Sequence, residues 1–414
     1  MDALAGVRII DFGWAMVGPW AARFPALTGA EVIKVETRKR LCVLRRYVPL
    51  PGGTGIRSFA PGERPPEDMP TDTMTSNDTH LNKLGVTLDL TTPEGAELAR
   101  RLVGIADAVV ENFRPGVMER HGLSYRHLKE IKPDIVMLSS SYAGSSGPES
   151  GYVGYADTFA ALGGLANLTG YPDRSASEIR FPMDPLNATT GAVALMIALI
   201  HRQRTGEGQW IDLSASESPS SLVAEAIMDY TMNKREQTRD GNLDESMAPH
   251  NCYRCLGEDK WVSIAIAEDS EWRALCNAMG SPQWTEDERF DSGYDRWQNQ
   301  EELDRLIQAW TIERTSYEVM HALQQAGVAA VPSLSANEIW ADPHLEARGW
   351  FEVVDHPALG AQLVIKPPWK LSETPVKIKR HGPMLGQDNE YVFGELLGLS
   401  SSDISQLVER EVIC

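Results

Sequence analysis

Apolar and polar positions near the start of the chain fall into a repeating unit. Residues 7–12 form a short β-rich run, Gly13 to Gly18 breaks it, and Pro19 opens a helical stretch at its first position, which Gly29 closes. Residues 31–36 are the next β-rich run. Strand, helix and strand in this order predict a βαβ unit and therefore a parallel sheet. The pattern resumes at Asn82 and Lys83 with a strand over 86–90, a helix entered at Thr91-Thr-Pro93-Glu94 and running to Gly104, and strands over 108–111, 135–139 and 209–214. After a polar, acidic stretch at 234–246 that reads as a linker, amphipathic helices are expected over 271–280, 300–311 and 316–326. A strand at 328–332 is expected to return the chain to the large domain.

The longest apolar stretch, residues 191–200, follows Phe181-Pro-Met-Asp184-Pro185 and precedes His201-Arg-Gln-Arg204-Thr-Gly-Glu-Gly-Gln209. Asp184 before a proline reads as a helix N-cap with Pro185 at the first position. The helix is apolar all round and shorter than the roughly 18 residues of a membrane span, so it is expected to be a buried core helix whose start holds one carboxylate in a fixed place.

Composition narrows the classes. A chain of 414 residues predicts two domains. A formal net charge of −19, from 58 acidic against 39 basic residues, argues against a nucleic-acid or anionic-membrane partner. Asp2 and Arg8 interrupt any N-terminal apolar segment, and a cytoplasmic protein is expected. Five scattered cysteines do not make a disulfide framework. His250, Cys252 and Cys255 lack the second ligand pair of a structural zinc site, so no metal is expected. The loop Gly13-Trp-Ala-Met-Val-Gly18 lacks the G-x-G-x-x-G spacing of a dinucleotide site, which argues against a nicotinamide enzyme. Residues 37–79, with Arg38-Lys39-Arg40 and Arg45-Arg46, read as a solvated loop or as guanidinium partners for phosphates.

A run of local signatures is more specific than any of these. Leu4-x-Gly6 through Asp11, Gly18-Pro19, Gly29-Ala30-Glu31-Val32-Ile33-Lys34-Val35-Glu36, the turn Asn112-Phe113-Arg114-Pro115-Gly116, Asp184 with its apolar helix, Arg204-Thr205-Gly206-Glu207-Gly208-Gln209 and Ala341-Asp342-Pro343-His344-Leu345 together resemble the family III CoA-transferases, the formyl-CoA and crotonobetaine type of the CaiB/BaiF family. The resemblance implies an α/β fold: a large Rossmann-like parallel-sheet domain (1–225), a smaller α+β domain (226–335) and a linker and C-terminal section (336–414) returning to the large domain. It implies a ring-shaped chain interlaced with a second subunit, as a homodimer or as a heteromer with a related chain. Carried over by position, Asp184 is the nucleophile, while Val17, Arg38, Leu88, Asn112, Phe113, Arg120 and Tyr155 hold a CoA thioester that is substrate rather than permanent cofactor.

The mechanism so implied moves CoA from an acyl-CoA donor, succinyl-CoA among the candidates, to a carboxylic acid through an aspartyl anhydride and an aspartyl-CoA thioester. Two alternatives accompany it. Racemases of the superfamily carry a His where this chain has Ala156, and without that base racemisation is disfavoured. The other is the active subunit of a heteromer acting on an aryl-substituted dicarboxylate such as benzylsuccinate. Formyl-CoA transferases place a Glu at the position of Ala156 and carry a glycine-rich loop near residue 248, and this chain departs from both. Asp157 is the rival carboxylate, with a helix cap as its simpler role, and His344 is expected to cap or to bond within the core.

Overall fold

In the computed structural model, which describes residues 1–46, 72–177, 179 and 181–414 and the backbone of 48–49 and 56–57, the six β-rich runs between residues 7 and 214 pair into one sheet. They are β1 (Arg8–Asp11), β2 (Glu31–Glu36), β3 (Leu84–Thr87), β4 (Ala108–Glu111), β5 (Val136–Ser141) and β6 (Trp210–Ser214), in the order β3-β2-β1-β4-β5-β6. All five pairings are parallel. β3 lies earlier than the expected 86–90. Leu88 still donates to Glu36, but the Asp89 N–H turns to the Val412 carbonyl and leaves the ladder. Much of the expected loop between 37 and 79 lies outside the described residues.

Alternation along the strands divides the core between two faces. Ile9, Val32, Ala108, Val110, Val136 and Leu138 are buried beneath α1 (Val17–Leu27) and α6 (Met183–Thr205). Ile10, Ile33, Val109, Ile135 and Met137 pack on the other side with α2 (Pro93–Gly104), α4 (Tyr125–Ile131) and the C-terminal Val392, Phe393, Val412 and Ile413. Each large side chain so buried contributes about 1.5–3 kcal/mol. Between these elements lie α3 (Val117–Arg120) and α5 (Ala156–Leu162).

α2 starts as expected, with Thr92 accepting from the Gly95 N–H and Pro93 at the first position. The other two helix starts differ. α1 begins at Val17 and α6 at Met183, with Met16 and Pro182 as N-caps. Pro19 and Pro185 are therefore third residues, and Asp184 is the second residue of its helix rather than its cap. The first N–H groups of a helix have no intrahelical acceptor, so a proline costs no ladder bond at any of these positions, and its presence does not select among them. α6 is also not buried all round: Val193, Ile197 and Ile200 are 55%, 62% and 48% exposed along one side. At 23 residues it is long and apolar enough to cross a membrane by composition, contrary to the expectation from 191–200 alone. Here it packs on α1 and β5.

Contacts divide the chain into two compact units: Met1–Leu165, Glu178–Ala224 and Ala347–Cys414 in one, Ala166–Ser177 and Glu225–Glu346 in the other. Within the second unit, β7 (His250–Arg254), β8 (Trp261–Ala265) and β9 (Ala329–Pro332) form an antiparallel sheet in the order β9-β8-β7. α7 (Asp269–Ala278), α8 (Gln300–Thr311) and α9 (Ser316–Gln325) supply Trp272, Leu275, Leu303, Ile307, Val319 and Leu323 to a core with Tyr253, Val262 and Ile264. β9 lies within the second unit, as the small domain over 226–335 implied, but it does not yet return the chain to the large domain: the second unit runs on to Glu346, and β9 pairs with β8, with Ala330 and Val328 in this second core.

Candidate active site

The direction of α6 follows from its far end. Arg202 pairs with Asp107 and Asp134, the residues just ahead of β4 and β5, so the helix C-terminus lies at the amino edge of the sheet. Asp184 lies five turns earlier, about 27 Å along the axis, whereas a six-residue strand such as β5 spans about 20 Å. The start of α6 therefore overhangs the carboxyl edge, where open parallel sheets receive their ligands. Its first intrahelical bond runs from the Leu186 N–H to the Pro182 carbonyl, 2.9 Å. The N–H groups of Met183 and Asp184 precede that ladder at the positive end of the helix dipole. Asp184 itself is half-buried.

Two loops at this edge are locked together. The Asn112 side chain, just past β4, accepts from the Trp14 N–H at 2.6 Å and donates to the Trp14 carbonyl at 2.7 Å. A Cβ on Gly18 would stand 2.8 Å from the Asn112 amide oxygen, so the loop closes on Asn112 only with glycine there. The Arg40 guanidinium lies over the Trp14 ring, 4.0 Å from its centroid.

Beneath the loop sits a buried charge cluster that sequence reasoning missed. Asp11 is fully buried and accepts from the Gly13 N–H at 2.8 Å and from Lys83 Nζ at 2.9 Å. Lys83 also donates to the Pro19 carbonyl at 2.7 Å, and Lys34 donates to the Gly13 carbonyl. Burial pushes the Lys83 ammonium down to about 8 against the pull of Asp11. Beside it, burial would raise the Glu36 carboxyl, but the charge and bidentate bonds of Arg45 outweigh that and hold it low. The available signal was a charged residue in each of two apolar strand runs, Asp11 after Ile9-Ile10 and Lys34 between Ile33 and Val35.

The structure brings the remaining expected residues to the same edge with different exposure. Val17 is buried at the start of α1, after β1. Arg38 is exposed after β2 and donates to the Leu385 carbonyl at 3.4 Å. Leu88, after β3, is only 1% exposed and packs in the core, which leaves its backbone rather than its side chain for a ligand. Phe113 is half-buried, and Arg120 is exposed at the end of α3 with its guanidinium near Gly116. Tyr155 is 75% exposed at the N-cap of α5, where its N–H donates to Thr158 Oγ1 at 2.8 Å. Asp157 is thus the second residue of a seven-residue helix and not its cap. His344 is exposed on Pro343–Ala347, where Asp342 does the capping by accepting from the Leu345 N–H. In the second unit Cys255 lies inside the apolar core, its thiol pushed up to about 11 by burial, apart from the half-exposed His250 and Cys252. No cluster of metal-ligating side chains occurs among the described residues.

Comparison with known proteins finds relatives along nearly the whole chain. Residues 4–389 match the sequence profile of CoA-transferase family III. A succinyl-CoA–D-citramalate CoA-transferase of Chloroflexus aurantiacus is 34% identical over 412 residues, covering 99% of this chain and 98% of its own. The beta subunit of a succinyl-CoA–L-malate CoA-transferase of the same organism is 32% identical, covering 99% and 98%. A crystal structure of a CaiB/BaiF family protein from Brucella suis superposes with a TM-score of 0.82 at 28% identity, covering 95% of this chain and 99% of that one.

Proposed function

Because the chain belongs to CoA-transferase family III, we propose that it moves CoA from succinyl-CoA to a small hydroxylated dicarboxylic acid, with Asp184 as the covalent nucleophile. The acid class rests on the relatives, whose acceptors are citramalate and malate. The observation that carries the nucleophile is the seating of Asp184 in the first turn of a 23-residue helix pinned at its far end by Arg202. Asp157 is the second residue of a helix of only seven residues, a shorter dipole.

In this reading the Asp184 carboxylate attacks the thioester carbonyl and expels CoA thiolate, leaving an acyl-aspartyl anhydride. The thiolate attacks the aspartyl carbonyl, releases the donor acid and leaves an aspartyl-CoA thioester. The acceptor carboxylate then attacks that thioester to give a second anhydride, and returning thiolate takes the acceptor acyl group and frees Asp184. Each step passes through an oxyanion that helix N-terminal N–H groups stabilise. CoA lies along the carboxyl edge against Val17, Leu88, Asn112, Phe113 and Tyr155, with Arg38 and Arg120 on its phosphates. Binding energy from that remote end holds the thioester against a weak nucleophile. The enzyme works in the cytoplasm without a resident cofactor.

The active form is a dimer of interlaced chains. It is supported by the exposed apolar side of α6 and by Leu222, which is 57% exposed, since such a side is costly in water. A folded monomer in sedimentation at micromolar protein would refute this. A heteromer with a related chain is the second form, favoured by the likeness to one subunit of a two-subunit enzyme; co-purification separates the two.

Two measurements test the function. Acyl-CoA donors, succinyl-CoA first, are incubated with a panel of mono- and dicarboxylic acids, and new thioesters are identified by mass; transfer to none of them sinks the proposal. Separately, Arg38→Ala and Arg120→Ala are each expected to weaken CoA binding by about 1.5–3 kcal/mol, the scale of hydrogen bonds to charged groups. Unchanged affinity in both would make them ordinary surface arginines.

A further inference from the structure

Glu111 ends β4, directly before the turn that carries Asn112 and Phe113. It is 6% exposed, and its Oε2 accepts the Phe113 N–H at 2.7 Å. Register places it beside Ser139 of β5, whose hydroxyl bonds to it; Ser139 Oγ in turn accepts from Trp210 Nε1 at 3.0 Å. Beyond Ser139 stands Asp212 of β6, of like charge. Asp11, Lys34 and Lys83 belong to the opposite face of the sheet, since Asp11 pairs with Val110 and not with Glu111. Among the described residues no basic side chain pairs with Glu111, from α2, α4 or elsewhere. Burial therefore raises its carboxyl to about 7, with Asp212 adding to the effect and the bonds from Ser139 and Phe113 opposing it.

A buried carboxylate without a cation is costly, and Gln or an apolar residue would end this strand more cheaply. What Glu111 achieves at that cost is local. It fixes the first bond of the turn, and the same turn presents Asn112, the residue that clamps both backbone groups of Trp14.

We propose that Glu111 is a positioning residue for the transferase: by holding the Phe113 N–H it sets the turn that, through Asn112, aligns the two loops on which the acyl-CoA lies. The inference rests on the CoA-transferase reading and extends it to a residue that touches neither the thioester nor the nucleophile. The charge-assisted bond is stronger than its protonated counterpart. CoA affinity therefore falls as pH drops through about 7, by an amount additional to the titration of CoA's own phosphate.

The test is calorimetric binding of CoA at pH 6, 7 and 8.5 to the wild-type chain, Glu111→Gln and Glu111→Ala, with KM for acyl-CoA and kcat alongside. Glu111→Gln keeps an oxygen that accepts from Phe113. It is expected to bind within about threefold of wild type at pH 8.5 and to lose the extra pH dependence. Glu111→Ala is expected to bind about tenfold more weakly at pH 8.5, with KM rising more than kcat falls. Wild-type affinity in Glu111→Ala, or a wild-type pH slope in Glu111→Gln, overturns the assignment. If Glu111→Ala does not fold, the slope of Glu111→Gln decides alone. A wild-type chain that binds no CoA at any pH overturns the transferase reading and this inference with it, whereas a binding wild type with indifferent variants overturns this inference only.

Discussion

Asp184→Asn is expected to give a folded protein that still binds acyl-CoA and has lost CoA transfer by roughly 10⁴-fold or more, the scale at which enzymes lose turnover with their nucleophile. The amide has nearly the shape of the carboxylate and cannot form an anhydride. Since Asp184 is the second residue of α6 and not its cap, the substitution removes no cap, and the charge–dipole interaction it gives up is about 0.3–1 kcal/mol. Fold and activity therefore separate. In the wild type, hydroxylamine added during turnover converts the aspartyl thioester to a hydroxamate, and borohydride reduces it to the alcohol; both marks are expected at position 184 in peptide mass spectra. Asp157→Asn is expected to keep measurable transfer. An active Asp184→Asn, or a mark at Asp157, would reassign the nucleophile.

A comparable effect on stability is expected from Asp11→Asn, about 3–5 kcal/mol in urea unfolding at pH 7, because it leaves the buried Lys83 ammonium without its counter-charge. The pH dependence identifies the cause. Lys83 has a folded value near 8, below its ordinary 10.5, so between those values the unfolded chain binds more protons and stability rises with pH. Below about 8 the lysine is charged in both states and its burial cost is fully present. Without Asp11 the folded value falls further. The loss measured at pH 7 is therefore expected to shrink by pH 9.5, once Lys83 is neutral in the folded wild type and in the variant. A double variant, Asp11→Asn with Lys83→Met, is expected to regain part of the stability at pH 7, since the Lys83 charge is removed with its partner; recovery is incomplete because Lys34, also paired with Asp11, stays buried. An equal loss at both pH values, with no recovery in the double variant, would attribute the effect to the Gly13 N–H bond instead.

Much of this protein is legible locally. β1, β2, β4 and β6 and the helices α2 and α8 fall within two residues of where periodicity and turn chemistry set them, because alternation, capping threonine and proline act over a few residues. Asp184 and the Asn112 turn were likewise found from neighbouring residues and their likeness to a family. Three kinds of fact were not local. Where a helix starts among its first unladdered residues depends on what packs there, so Pro19 and Pro185 pointed two residues late. Which sheet a strand joins is a choice of partner, and residues 329–332 joined β8 because their apolar side chains fit the second core. The charges that shape the site depend on long-range pairing most of all. Asp11 meets Lys83 across 72 positions, and Glu111 has an unusual carboxyl only because strand order buries it between β1 and β5. The sequence by itself determined the elements and the candidate nucleophile. Tertiary structure alone decided which buried charges hold the loops around it, because desolvation and ion pairing act through space and leave no periodic trace along the chain.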